Sequence, residues 1–178
     1  TITKPRITTI HGNTNSLEPF DHNSLFVSHN HAQRHGSDVY VHNGLDWYEY
    51  GKPELQTKRK YLHFLAKAAW RIKNVRGAIE LAQRSKEKLA VIGGTRLNIT
   101  MGFRLSLDPR VKFYGMTGGD EKIRLLKASK ALLFPVLWHE PFGLSIVESL
   151  YFGCPVIGTP YGSLPEIVQP DYGFLSSS

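Results

Sequence analysis

Between residues 60 and 158 short apolar runs alternate with stretches of helical periodicity, and this alternation restricts the fold more than any other feature. "KYLHFLA" (60–66), "KLAVIGG" (88–94), "VKFYG" (111–115), "ALLFPV" (131–136) and "CPVIG" (154–158) read as strands. "NVRGAIELAQRS" (74–85) and "GDEKIRLLKASK" (119–130) read as helices. The second has acidic residues in its first turn and lysines towards its end, as the helix dipole favours. Strands that alternate with helices pair in parallel through right-handed crossovers, with helices on both faces. The predicted fold class is α/β, a Rossmann-like doubly wound parallel sheet, which receives ligands at the carboxyl ends of its strands.

The first 45 residues read differently. "RITTIHG" (6–12) and "SLFVSHN" (24–30) read as strands, and "DVYVHNGLD" (38–46) as a strand running into an Asn-Gly turn. This segment is too short for a core of its own, so residues 1–45 are expected to be the remnant of a preceding domain, with 46–178 the ligand-binding domain. "GGTRLNITMGFRLSLDP" (93–109) is a long connection with room for a short helix, and the closing serines 176–178 read as a frayed end. The first residues, "TITKPRITTIHGN", carry neither an initiator Met nor the pattern of a signal peptide, which implies a start inside a longer protein.

Composition narrows the partners. An apolar content of 41% with 11% aromatic residues is globular, and no apolar stretch of about 18 residues could span a bilayer. The single cysteine, Cys154, excludes an internal disulfide framework and a Cys-based zinc site. It fits a reducing compartment, so the expected location is cytoplasmic. The net charge of +7 suits an anionic partner such as nucleotide phosphates, an acidic lipid surface or nucleic acid. The basic residues are scattered and accompany no nucleic-acid motif, so phosphate ligands are expected and nucleic acid is not.

"WHEPFGLSIVES" (138–149) carries the chemistry. Pro141 suits the first turn of a helix, because it lacks the N–H that would go unpaired there. Gly143 lets a ligand approach the backbone. The amides of Phe142, Gly143 and Leu144 would then form an anion seat at the positive end of the helix dipole. Glu148 lies roughly 9 Å further along the axis, with its side chain leaning back towards the helix start. A carboxylate there can accept two hydrogen bonds from a vicinal diol such as a ribose. Glu140, before the helix, faces the other side of the phosphate. Spacing alone leaves open an exposed glutamate pair on an ordinary helix. Elsewhere, His31 and His35 have the i, i+4 spacing of zinc ligands. No glutamate lies beside His31 and no third ligand is apparent, so a surface helix is the plainer reading and no metal is expected. Cys154 has no base or charge pattern near it in sequence and reads as packed.

The stretch "HEPFGLSIVESLYFGCPVIGTPYGSLPEIV" (139–168) closely resembles the E-x₇-E segment of retaining family 4 glycosyltransferases of the GT-B fold, also called glycosyl transferases group 1. Gly153-Cys154-Pro155-Val156-Ile157 and Gly162-Ser163-Leu164-Pro165-Glu166-Ile167-Val168 fall on the two turns that follow it in that family. "VKFYG", "ASKALLFPV" (128–136) and "YVHNGLD" (40–46) are similar to further family segments, the last to the turn between its two domains. The resemblance implies the C-terminal donor-nucleotide domain of such an enzyme, with residues 1–45 a stub of the acceptor-side domain. The implied reaction moves a sugar from a nucleotide-diphosphate sugar, such as a UDP- or GDP-sugar, to an acceptor hydroxyl with retention. It needs no other cofactor and no bound metal. The implied partners are the missing N-terminal domain and a glycan or lipid-linked acceptor, and the basic charge permits contact with an anionic membrane face.

Residue by residue, the resemblance gives Glu140 the donor-sugar hydroxyls, Glu148 the ribose, and the Phe142–Leu144 backbone the diphosphate. Lys67 and Lys73 fall on a basic pair that neutralises the leaving group, with Arg71 a competing assignment. Lys67 stands where the family has arginine, and Ala66 where it has glycine; lysine keeps the charge but loses the planar fork. The turn at Gly115 and Met116 would supply backbone contacts to the base. His11 resembles a His-Gly of the acceptor-side domain near the donor phosphate, with a structural histidine as the alternative. A module that binds nucleotide sugar without catalysis is the rival function, because most of the acceptor domain is absent.

Overall fold

The alternating segments build a six-stranded parallel sheet in a computed structural model that describes residues 4–14, 19–99, 101 and 103–177. Ahead of the sheet come the short strands β1 (Thr8–Ile10) and β2 (Ser24–Phe26) and the helices α1 (His29–Arg34) and α2 (Trp47–Tyr50). The chain then forms β3 (Tyr61–Leu65), α3 (Val75–Arg84), β4 (Leu89–Ile92), β5 (Leu97–Asn98), β6 (Arg104–Leu105), β7 (Val111–Phe113) and α4 (Gly119–Lys127). It closes with β8 (Ser129–Phe134), α5 (Leu144–Tyr151), β9 (Val156–Gly158), α6 (Leu164–Ile167) and β10 (Gly173–Leu175).

The sheet order is β10-β9-β8-β3-β4-β7. From β3 the chain winds outward through β4 to β7, then returns to the other side of β3 and winds outward through β8, β9 and β10. The winding direction therefore reverses between β3 and β8, which opens a crevice at their carboxyl ends. The loops that leave those two ends are residues 66–74 and 135–143, so Lys67, Lys73 and Glu140 are placed at one location by topology alone.

Local sequence explains the elements. The Asn74 side chain caps α3 by accepting from the Gly77 N–H at 3.0 Å, and Val75, Ala78, Ile79 and Ala82 turn one face inward. All four residues of β4 are buried, as in a parallel strand covered on both sides. Alternation along the strands separates the faces: Leu89 and Val91 pack with α3, whereas Ile92 packs with Leu125 and Leu126 of α4. In β8, Ala131 and Leu133 share the α3 face, and Leu132 and Phe134 meet Ile146 of α5. Helices thus cover both faces, as the sequence pattern predicts.

Four expectations change. The predicted helix 119–130 stops at Lys127, because Ser129 is drawn into β8, where its hydroxyl lies 2.7 Å from Nδ1 of His63 inside the sheet. The predicted strand at 38–46 reduces to a bridge between Tyr40 and Phe26. The connection 93–109 contains no helix among its described residues; β5 and β6 form an antiparallel hairpin, with residues 100 and 102 outside the described set. At the closing serines the Ser176 N–H donates to the Gly158 carbonyl at 2.9 Å, so the β10 end is tied down that far, while Ser178 lies outside the described residues.

His31 and His35 lie on α1 and at its C-cap; the helix exposes His29, Gln33 and Arg34, but it turns His31 inward. His31 is 1% exposed, and its ring meets Phe26 edge-on at 5.1 Å, while His35 stacks on Phe26 at 5.4 Å. Burial lowers the pKa of both rings. Among the described residues no group of three or more His, Cys, Asp or Glu could hold a metal ion, and no helix is long and apolar enough to cross a membrane.

Candidate functional site

The loop between β8 and α5 is fixed by its backbone. Glu140 pairs with Gly162 in a parallel bridge, and the Ser163 N–H donates to the Glu140 carbonyl at 2.9 Å. The Ser163 hydroxyl donates to the carbonyl of Phe142 at 2.7 Å. Gly162 has φ 69°, and a Cβ there would lie 2.3 Å from both the N and O atoms of Glu140, so only glycine lets the two segments approach. Gly143 has φ 86° and turns the chain into α5, with the Ile146 N–H closing on its carbonyl at 2.9 Å. The helix accordingly begins at Leu144. Pro141 and Phe142 belong to the approach loop rather than to the first turn, because the left-handed residue that starts the helix lies after them. The amides turned to the helix start are those of Gly143, Leu144 and Ser145, one position later than the spacing suggests.

The two carboxylates are buried, each 8% exposed, which removes the reading of a solvated pair. Glu140 Oε2 accepts from Lys73 Nζ at 2.5 Å and from Trp138 Nε1 at 2.8 Å. Lys73 also stands over the Trp138 ring, 4.7 Å from its centroid. Glu148 Oε1 accepts from Lys122 Nζ at 2.7 Å and from the Tyr50 hydroxyl. Burial and the bond to Glu148 raise the Tyr50 pKa, so this hydroxyl stays a donor. Lys122 lies over the Tyr50 ring at 5.0 Å. Each carboxylate thus has one lysine and one aromatic donor, and the mouth of α5 lies between them. Such a pair is equipped to take hydroxyl groups on either side of an anion.

A stretch of residues 49–178, more than half of the chain, matches the family described as glycosyl transferases group 1. The chain belongs to the group 1 glycosyl transferases. N-acetyl-alpha-D-glucosaminyl L-malate synthase of Bacillus anthracis is 35% identical over 72 residues, which cover 40% of this chain and 18% of the relative. Among solved structures, AviGT4, a glycosyltransferase involved in avilamycin A biosynthesis, superposes with a TM-score of 0.76 at 22% identity, covering 96% of this chain and 53% of that one. Anabaena HepE, solved in complex with UDP-glucose, superposes with a TM-score of 0.67 at 20% identity, covering 87% of this chain and 50% of that one. These likenesses show the GT-B fold. The chain spans about half of these two structures and a quarter or less of the curated relatives it matches.

Within this glycosyl transferase, the structure sorts the remaining sequence candidates. Lys73 reaches Glu140, but Lys67 is exposed at the end of β3, 5.2 Å from the centroid of the Trp70 ring, with no ion-pair partner among the described residues. Arg71 lines a different cavity, to which Lys73, Glu140 and Glu148 do not contribute. Gly115 is locked against the Gly-Gly turn: its N–H donates to Gly94 O at 3.1 Å and its carbonyl accepts from Gly93 at 2.6 Å. The Gly115 N–H is therefore occupied, whereas Met116 is 77% exposed on the loop that leads to α4 and Lys122. His11 is exposed, and its neighbour Asn13 ties this loop to the site by donating from Nδ2 to the His139 carbonyl at 2.7 Å. Nδ1 of His139 lies 3.3 Å from the Gly162 N–H as its acceptor, and burial lowers the pKa of the ring, so it stays neutral in this role. Cys154 is buried as expected, and burial raises its pKa; the Arg59 guanidinium lies 3.3 Å from Sγ.

Sequence reasoning missed Tyr50, Lys122, Trp138 and His63. Trp138 had a local signal, since residues i and i+2 of an extended stretch share a side. Tyr50 is 98 residues from Glu148, so no spacing could connect them. The signal for His63 was a lone histidine inside an apolar strand. It is fully buried, with Nδ1 2.7 Å from Ser129 Oγ and Nε2 2.9 Å from Ser149 Oγ, and it joins β3, β8 and α5 beside Glu148. Burial pushes its pKa down to about 3.

Proposed function

We propose that this chain is the C-terminal, donor-binding part of a retaining family 4 glycosyltransferase, a hexosyltransferase that moves a sugar from a nucleoside diphosphate to an acceptor hydroxyl. The observation that carries this reading is the pair of buried carboxylates, each bridged to a lysine, on either side of the α5 start at the point where the sheet reverses. That HepE is solved with UDP-glucose supports a nucleotide-sugar donor.

In this reading the diphosphate sits on the amides of Gly143, Leu144 and Ser145. Its charge draws Lys73 towards it, and Glu140 exchanges that lysine for hydroxyls of the donor sugar. Glu148, beside Lys122 and Tyr50, takes the two ribose hydroxyls. The bond between the anomeric carbon and the diphosphate oxygen breaks, and its electron pair stays on the diphosphate, stabilised by Lys73, Lys67 and the helix start. The acceptor oxygen bonds to the same face of the sugar and gives its proton to the departing phosphate oxygen. The side chains supply the countercharge, so no step calls for a metal ion. The acceptor is a glycan or lipid-linked hydroxyl presented by the N-terminal domain. Calorimetric titration with UDP-, GDP- and ADP-sugars tests this: one of them binds, and none does so if the reading is wrong.

A further inference from the structure

A second cavity, of about 330 Å³, lies between the α3 N-terminus and the β5–β6 hairpin. Three arginines line it, Arg71, Arg76 and Arg104, and no acidic residue does among the described residues. Arg104 is the telling one. Only 7% exposed, it lies over the Phe113 ring at 5.0 Å and donates from Nη2 to the Thr95 carbonyl at 2.8 Å. Its Nε and Nη1 are buried and have no hydrogen-bond partner among the described residues. A guanidinium so placed is costly unless an anion completes it.

Arg96 on the same hairpin shows the contrast. Its Nη1 donates to the Ser106 carbonyl at 2.7 Å and its Nη2 to the Val111 carbonyl at 2.9 Å, so it works as a staple. Arg104 has no such set, and Arg76 brings a second positive charge towards it instead of an acceptor; burial and that charge lower the Arg104 pKa. The positive end of α3, a ten-residue helix, opens at Val75 and Arg76 on the same cavity.

Trp70, Met101 and Leu137 supply apolar lining, whereas Leu97, Ile99, Phe103, Leu105 and Leu107, at alternate positions of the hairpin, are 49–76% exposed and stand outside that lining. The even positions, Arg104 and Ser106, are the buried ones. We propose that Arg71, Arg76 and Arg104 form an anion site, separate from the Glu140–Glu148 site, that takes a phosphate group. The volume accommodates the phosphate together with part of the group that carries it.

The test uses the whole chain with two probes: inorganic phosphate followed by calorimetry, and flotation with phosphatidylglycerol or phosphatidylcholine vesicles. Arg76→Gln and Arg104→Met each weaken binding about tenfold, the effect of losing one charge-assisted contact. Arg84→Gln, which removes one exposed charge at the far end of α3, leaves it unchanged. Arg104→Met keeps the stem over Phe113, and without ligand its melting temperature equals or exceeds that of the native chain. Should that variant fail to fold, Arg76→Gln, altered at an exposed position, still decides. Binding of free phosphate that both variants weaken supports a soluble phosphate. Variant-sensitive binding to phosphatidylglycerol vesicles alone supports a lipid headgroup. The proposal is overturned if neither probe binds, if Arg76→Gln binds like the native chain, or if phosphatidylcholine vesicles bind as well as phosphatidylglycerol.

Discussion

Glu140 and Glu148 are equally buried and each is bridged to one lysine, yet they are held in opposite ways. Glu140 sits on a loop whose main chain is locked by Gly162 and Ser163. Glu148 rides on α5, and its partners come from α2 and α4. A carboxylate placed by its own backbone can change side-chain partners without moving. One whose surroundings are assembled from three helices is a fixed receptor. In the proposed reading this difference gives turnover to Glu140 and affinity to Glu148.

Glu140→Gln gives the largest effect. It keeps the shape and removes the charge, so release of nucleoside diphosphate from the donor by the intact protein falls about 10²- to 10³-fold, while donor affinity changes far less. A mutant that lost affinity but kept turnover would reverse the two assignments.

Acid affects the Glu148 side through its scaffold. His63 has a pKa of about 3 in the folded chain against 6.5 for a free histidine, so the unfolded chain takes up the proton first. Its contribution to stability is complete above about pH 6.5 and is lost as pH falls towards 3, by about 1 kcal/mol per pH unit. His63→Gln lowers stability at pH 7 and flattens this slope in thermal melts between pH 6.5 and 4. An unchanged slope would mean that other groups govern the acid limb.

Tyr50→Phe is the mildest change. It deletes one donor to Glu148 and weakens donor binding a few-fold, about 1 kcal/mol, without altering turnover of bound donor. A larger fall in turnover than in affinity would break the division of roles.

The fold was legible wherever one period governs a segment. Val75, Ala78, Ile79 and Ala82 announce α3, and the apolar run 89–92 announces a doubly covered strand. The hairpin misled because its period-2 pattern, from Leu97 to Leu107, turns its apolar side outward. At the site, Glu140 and Glu148 stand out because they lie within one recognisable stretch, whereas Lys73, 67 residues from Glu140, is singled out only by the resemblance of its own loop. The start of α5 was misplaced because Pro141 favours a first turn, but the positive φ of Gly143 sets the actual one. The helix at His31 was readable, but the burial of His31 was not, because the ring of Phe26 that covers it comes from a neighbouring strand. Tyr50 and Lys122 were invisible, since only the closed tertiary structure brings them to Glu148.

The central claim is that Glu148 receives the ribose of a nucleotide donor beside a phosphate seat at Gly143. Calorimetric titration of the native chain and of Glu148→Ala with the same nucleoside diphosphate, its base chosen by screening UDP, GDP and ADP, tests it most directly. Native binding that weakens at least about tenfold in the variant is the expected result. A nucleotide that binds both proteins equally, or none that binds the folded native chain, contradicts it.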